Sequence, residues 1–348
     1  MKSYYLKLFL LILLWSAFLF SCFAAKKNKT NDIEFAKGAD VSWLPQMEAS
    51  GYKFYNYKGK KEDCLTILKD NGINSIRLRT WVHPSDNPFS GHCSKDETVA
   101  MAVRAKKQGM RVMIDFHYSD TWADPAKQEK PKAWEGLDFE ELKTALYDYT
   151  FDVMSALKDA GVTPEWVQVG NEIPTGMIYP EGHTDNWPQL VQLINKGYDA
   201  IKAVSPTTKV IIHVDQGNNN ERFRWWFDNA TKHGAKYDII GMSFYPFWLD
   251  NKPDYSEIID ALEYNMKDLS TRYGKQVMVV EVGGEDFKVE NTYQMLKEVI
   301  KRTKAVPTQN GLGVFYWEPQ GARSWSHYGL SCWGSDGKPT KALKAFKK

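Results

Sequence analysis

The sequence predicts a single α/β domain, a (β/α)8 TIM barrel over residues 35–348, and three observations carry that reading. From residue 35 onward, short β-branched runs alternate eight times with longer segments, which favours a closed parallel barrel over an open sheet. No Gly-x-Gly-x-x-Gly follows the first run, so nothing indicates a dinucleotide fold. The chain of 348 residues, 43% hydrophobic and 25% charged, can bury one large core, and a barrel of this kind typically needs about 250 residues.

In chain order the first element is a leader over residues 1–21. Lys2 and Lys7 flank the start of an apolar run from Leu8 to Phe20, broken only by Ser16. That run is short for a bilayer span and fits a signal-peptide core. Leu19-Phe20-Ser21-Cys22 resembles a bacterial lipobox, with cleavage before Cys22 and lipid on its thiol, although Phe20 is larger than the residue usual there. Ordinary cleavage near Ala24 or Ala25 is the alternative. Residues 22–34 read as a linker in which Lys26-Lys27-Asn28-Lys29 is a solvated basic stretch. Either route places the mature chain outside the cytoplasm. Acylation of Cys22 would hold it on a bacterial outer membrane or cell surface, and ordinary cleavage would leave it secreted or periplasmic.

The barrel strands are read at 36–43, 75–81, 111–117, 166–170, 209–214, 239–245, 276–282 and 313–317. Amphipathic stretches at 60–71, 95–108, 139–160, 189–204, 220–233, 255–273 and 290–303 read as the intervening helices. Gly72, Gly109, Gly161, Gly234 and Gly274 follow five of them, where a left-handed residue ends a helix. No linker separates a second domain.

With the strands placed, their C-terminal ends name the candidate site, because chemistry in α/β barrels sits on that rim. In strand order they offer Asp40 and Trp43; Arg77, Arg79 and Trp81; Asp115, His117 and Tyr118; and Asn171 and Glu172. The second half offers His213 and Asp215; Tyr245; Glu281; and Trp317 with Glu318. Glu172 and Glu281 each follow a β-rich run, Trp166-Val-Gln-Val169 and Val277-Met-Val-Val280. Two glutamates on rim positions several βα units apart suit the paired carboxylates of glycoside hydrolysis. A structural protein has little reason to place so many charges there, since buried charges cost stability unless paired. Asp115 reads as a structural partner for a rim Arg or His. His213 reads equally as a hydrogen-bonded core histidine or a site residue.

Charge and cysteines exclude other classes. A formal net charge of +2 gives no electrostatic case for nucleic acid. Beyond Cys22 the thiols are Cys64, Cys93 and Cys332, an odd number that cannot all pair. Cys93 and Cys332 fall in expected loops on one rim and could bridge; buried thiols are equally compatible. No CxxC or His-rich cluster suggests zinc, and neither a metal nor a cofactor is expected.

The segment from about residue 35 to 346 resembles the endo-β-1,4-galactanases of glycoside hydrolase family 53, in the clan of retaining (β/α)8 hydrolases. The likeness rests on Gly38-Ala-Asp-Val-Ser-Trp43, Ile76-Arg-Leu-Arg-Thr-Trp81 and Asp115-Phe-His-Tyr-Ser-Asp-Thr-Trp-Ala-Asp-Pro125. It continues in Gln168-Val-Gly-Asn-Glu-Ile173, Ser243-Phe-Tyr-Pro246, Val280-Glu-Val282 and Tyr316-Trp-Glu-Pro319. The third block is long and unusual, and therefore specific.

The resemblance implies endo-hydrolysis of β-1,4-galactan in type I arabinogalactan, with Glu172 as general acid/base and Glu281 as nucleophile. Arg77 and the Tyr245 hydroxyl would hold Glu281 ionised, and that anion would raise the pKa of Glu172 until the glycosyl-enzyme forms. Asn171 would donate to the sugar 2-hydroxyl, with His117 positioning that region; Asp40, Arg77 and Asp215 complete the expected polar contacts. Galactose has an axial 4-hydroxyl that leaves one face apolar, so Trp317 is expected beneath the cleaved sugar. Trp81, Trp122, Trp248 and Trp325 are candidates for outlying subsites. The loop Gly283-Gly-Glu-Asp-Phe-Lys-Val-Glu290 lacks the oxygen ligands of the calcium loop found in some bacterial members, and calcium is not expected. The rival readings are a mannan- or xylan-cleaving enzyme of the same clan and a non-catalytic carbohydrate-binding barrel.

Overall fold

Most strand residues are buried, as expected for parallel strands covered by helices, and the polar ones among them, such as Arg77 and Asp115, are buried too. The structure, a computed structural model, describes residues 34–85 and 92–347. The expected leader, Cys22 and nearly all of the expected linker lie outside the described residues.

Eight parallel strands close on themselves in sequence order among the described residues. They are β1 (Ala36–Asp40), β2 (Ser75–Thr80), β3 (Arg111–Phe116), β4 (Trp166–Val169), β5 (Lys209–Val214), β6 (Ile239–Phe244), β7 (Gln276–Val282) and β8 (Gly311–Trp317). Closure is made by β1, which pairs Gly38 with Ser75 on one side and with Phe315 on the other. The covering helices are α1 (Leu44–Ala49), α2 (Cys64–Asp70), α3 (Lys95–Lys107), α4 (Phe139–Asp159), α5 (Trp187–Val204), α6 (Asn220–Lys232), α7 (Tyr255–Tyr273) and α8 (Val289–Lys304).

Local chemistry sets the helix starts. Ser94 with Glu97, Asp138 with Glu141 and Asp254 with Glu257 form reciprocal capping boxes that open α3, α4 and α7. Asp63 accepts from the Thr66 amide, so α2 begins at Cys64 and not at residue 60 as the periodicity suggests. The first strand also stops early. Asp40 Oδ1 accepts from the Ser42 amide at 3.0 Å and its hydroxyl at 2.6 Å, which turns the chain out of the sheet. Trp43 then caps α1, a short helix with Pro45 in its first turn that the sequence reading did not contain.

Two apolar layers result. The larger one lies between sheet and helices, and a smaller cluster of Met113, Trp166, Ile211, Met278, Val280 and Phe315 forms its own core. Trp166 and Phe315 meet edge to face at 6.0 Å. Their bulk requires a glycine opposite: a Cβ on Gly38 would lie 2.0 Å from the Phe315 ring. One level nearer the strand C-termini the register aligns Asp40 with Arg77 and with Trp317, and the residues become polar. Cys64, Cys93 and Cys332 are buried thiols, with no disulfide between Cys93 and Cys332.

Candidate active site

The rim after β4 is built by a tight turn. Gly170 has φ +83° and no room for a side chain, since a Cβ would lie 2.8 Å from Ile173 and 3.1 Å from the Met177 sulfur. Glu172 itself holds φ +42°, a left-handed conformation that costs a non-glycine residue about 1–3 kcal/mol and persists only when its surroundings enforce it. Here Gln128 enforces it: its buried Nε2 donates to the Asn171 carbonyl at 2.9 Å and the Glu172 carbonyl at 3.0 Å. Asn171 is fixed at both ends of its amide, donating to the Ala123 carbonyl at 2.8 Å and accepting from Arg77 at 2.9 Å.

Glu281 reaches the site through a break in alternation. Along β7, Met278 and Val280 belong to the small core, and Val277, Val279 and Val282 to the outer one. The β6–β7 ladder pairs Met242 with Val279 and Ser243 with Glu281, skipping Val280. This bulge is the reason Glu281 does not follow Val279 toward the helices.

Arg77 organises the Glu281 carboxyl. Fully buried, it donates through Nη1 to Asp40 at 2.8 Å, through Nε to Gln168 at 2.7 Å, and through Nη2 to Asp115 at 2.8 Å. The same Nη2 lies 2.8 Å from Glu281 Oε1, and the Tyr245 hydroxyl donates to Glu281 Oε2 at 3.2 Å. Glu172 makes no ion pair among the described residues; its Oε1 takes the Ser243 hydroxyl. Burial pushes Glu281 up to about 7, with Arg77 opposing and the Asp115 and Asp40 anions adding to the rise. Arg77 and Tyr245 both reach Glu281 and favour its charged form, and burial works against them. Burial, then the Glu281 anion, push Glu172 well above the carboxylate range. The site thus keeps a more easily ionised carboxyl on β7 and a more proton-retentive one after β4, the division that acid-assisted displacement needs.

A cleft of about 540 Å³ opens over the pair, walled by His117, Trp122, Asn171, Asp215, Tyr245, Trp248, Trp317 and Tyr328. His117 is set by Asp115 at 3.0 Å and by the Ala123 amide at 3.1 Å. Asp115 is thus the partner of both Arg77 and His117. Asp215 pairs with Arg222. Trp317 is braced edge-on by Trp43 at 4.9 Å and Tyr328 at 4.8 Å, whereas Trp248 stands 62% exposed.

Four residues expected to touch sugar, Asp40, Arg77, Trp81 and Trp325, do not line the cleft. Asp40 and Arg77 are 0% exposed and lie beneath the glutamates, because each must neutralise the other. Trp81 is also 0% exposed. It meets Trp122 at 5.2 Å and helps cage the Arg79 guanidinium, which also sits 4.4 Å from the Trp122 ring. Trp325 is not part of the cleft wall; it packs on Trp43 and donates to Ser50. Glu318 lies off the cleft, wholly buried against Arg79 and the Trp43 amide, and burial pushes it up to about 8. The sequence reading assigned no role to Gln128, Gln168, Ser243 or Tyr328. Gln168 carried a signal, a lone polar residue inside Trp166-Val-Gln-Val169; Tyr328 arrives from a loop with none.

Unequal carboxyls beneath an indole-walled groove, on the C-terminal rim of this barrel, define the class: a (β/α)8 glycoside hydrolase. The chain belongs to glycosyl hydrolase family 53, whose model matches residues 36–346. An uncharacterised protein of Niallia circulans is 37% identical over 335 residues, covering 86% of this chain and 88% of that one. An arabinogalactan endo-β-1,4-galactanase of Thermothelomyces thermophilus is 33% identical over 343 residues, covering 90% of this chain and 98% of that one. Among solved structures, the family 53 catalytic domain of Ignisphaera aggregans superposes with a TM-score of 0.83 at 30% identity, covering 90% of this chain and 96% of that one.

Proposed function

We propose that the chain hydrolyses β-1,4-galactosidic linkages within galactan chains by double displacement, with Glu281 as nucleophile and Glu172 as general acid/base. The observation that carries the roles is the unequal footing of the pair: Glu281 sits on Arg77 and Tyr245, and Glu172 on a neutral hydroxyl. A Glu281 carboxylate oxygen bonds to the anomeric carbon as the glycosidic C–O bond breaks. The electron pair of that bond passes to the leaving oxygen, which takes the Glu172 proton. In the second step Glu172, now a carboxylate, accepts a proton from water as the water oxygen bonds to the anomeric carbon and Glu281 leaves with its electrons. Asn171, oriented by Ala123 and Arg77, is available to donate to the 2-hydroxyl, and Trp317 is the platform for the cleaved sugar.

Galactan as substrate is supported by membership of the family and by the activity for which the Thermothelomyces thermophilus relative is named. Digestion of linear β-1,4-galactan, with mannan and xylan alongside, tests it: shortening products from galactan alone are expected, and cleavage of mannan or xylan instead would replace this reading. Glu172→Gln and Glu281→Gln should each lower turnover on galactan by roughly 10²-fold or more with the fold retained, as loss of one such group commonly does. A variant keeping a tenth of wild-type activity would refute its assigned role. From the leader and Leu19-Phe20-Ser21-Cys22 we also infer export and acylation of Cys22. Membrane fractionation of wild type and Cys22→Ala tests that inference; a freely soluble wild type beginning near Ala25 would refute it.

A further inference from the structure

Four side-chain hydrogen bonds run head to tail from Arg77 to Glu172. Arg77 Nε donates to Gln168 Oε1 at 2.7 Å. That bond settles which end of the amide is oxygen, so Gln168 Nε2, 2.9 Å from His213 Nδ1, must donate to it. The Glu172 backbone N–H also approaches Nδ1, at 3.4 Å. A proton on Nδ1 would point at the Gln168 amino group, so the imidazole carries its proton on Nε2 and donates it to Ser243 Oγ at 2.8 Å. Asn171 Oδ1 lies 3.2 Å from Nδ1, but it is already engaged by Arg77 Nη2 at 2.9 Å and in this tautomer makes no bond to the ring. Ser243, accepting from His213, turns its single hydrogen to Glu172 Oε1. The imidazole is 0% exposed, and burial together with Arg77 holds it well below the usual histidine range, so it stays neutral.

We infer that Gln168, His213 and Ser243 form a one-way donor relay that keeps Glu172 Oε1 an acceptor and thereby fixes the acid proton on Oε2. Oε2 has no hydrogen-bond partner among the described residues, and Glu172 lines the cleft. The inference rests on the reading of Glu172 as acid/base, and makes these three positioning residues. The relay starts on the guanidinium that also grips Glu281, so one arginine orients both glutamates. It serves both steps: it aims the proton at the leaving oxygen, and then its hydroxyl supports the carboxylate that must receive a proton from water.

The test is Ser243→Ala assayed on galactan and on an aryl β-galactobioside whose dinitrophenolate leaves without protonation. On galactan kcat/KM should fall roughly tenfold or more, the usual scale for a lost hydrogen bond to a charged group. On the aryl substrate, where glycosylation needs no acid, it should stay within about twofold by the same reasoning. Glu172 is faced by Glu281 on β7, Asp215 after β5, Arg77 on β2, and Tyr245 and Tyr328. All of these remain in the variant, so loss of the Ser243 donor alone should move the alkaline limb on galactan to higher pH. Gln168→Glu keeps the volume but puts an acceptor at Nδ1, which reverses the relay and should reproduce the galactan-selective loss. Equal losses on both substrates with an unmoved limb, in whichever variant folds, would overturn the relay. Glu172→Ala separates the two readings: if it too lost both substrates equally, the acid/base assignment itself would fall.

Discussion

At the scale of single residues, the site turns on how many anions surround two guanidinium groups. Asp40, Asp115, Glu281 and Glu318 face Arg77 and Arg79, all of them buried, with Glu281 opening onto the cleft. Burial, with the neighbouring anions adding to it, is why Glu281 rises to about 7 and Glu318 to about 8. The consequence for pH has a definite sign. In the proposed roles Glu281 must be a carboxylate to attack, so kcat/KM should fall as pH drops through the region of 7 and Glu281 gains its proton. Glu172, as the proposed acid, must be protonated, and the upward shift that burial and the Glu281 anion give it sets the alkaline limb. A pH–rate profile on short galacto-oligosaccharides should therefore be bell-shaped with its maximum on the alkaline side of 7. A maximum near 5, with activity already falling at 7, would contradict this electrostatic account. The glutamates and Asn171 were legible in the sequence because each ends or follows a β-rich run. The burial of Asp40 and Arg77 was not, because a strand-end position does not reveal whether a side chain faces sugar or another charge.

At the scale of elements, two details that sequence periodicity misses decide where the chemistry sits. The bulge at Val280 turns Glu281 inward, yet Val277-Met-Val-Val280 is uniformly apolar and shows no register. The early end of β1 depends on Asp40 capturing Ser42, a local hydrogen bond and not a pattern. The helix ends were readable: Gly72, Gly109, Gly161, Gly234 and Gly274 all have positive φ. Strand packing gives a sharp test. Gly38→Ala forces a methyl to 2.0 Å from the Phe315 ring and should destabilise the fold by about 1–3 kcal/mol or more, as overpacked cores do. Combining it with Phe315→Leu should recover part of that loss, because neighbouring core positions couple. Chemical denaturation of the two single variants and the double variant measures this, and strictly additive losses would mean that the two side chains do not share the space.

At the scale of the whole molecule, the barrel gathers onto one rim residues that lie far apart in sequence, from His117 to Tyr328, and gives the cleft an inner and an outer end. Trp317 is braced between Trp43 and Tyr328, whereas Trp248 stands exposed with Phe247 as its one ring contact among the described residues. Trp317→Ala should lower both turnover and affinity, since stacking worth on the order of 1 kcal/mol strengthens as the ring distorts. Trp248→Ala should weaken only long oligosaccharides. Comparing kcat and KM across chain lengths separates the two, and a Trp317→Ala defect confined to long chains would make it a distal platform. The central claim, retaining hydrolysis of galactan by Glu281 and Glu172, is tested most directly by proton NMR of the first minutes of digestion of linear β-1,4-galactan. New reducing ends should appear as the β-anomer, with the α-anomer growing in only as mutarotation proceeds; an α-anomer formed first, or no new reducing ends from galactan at all, would contradict it.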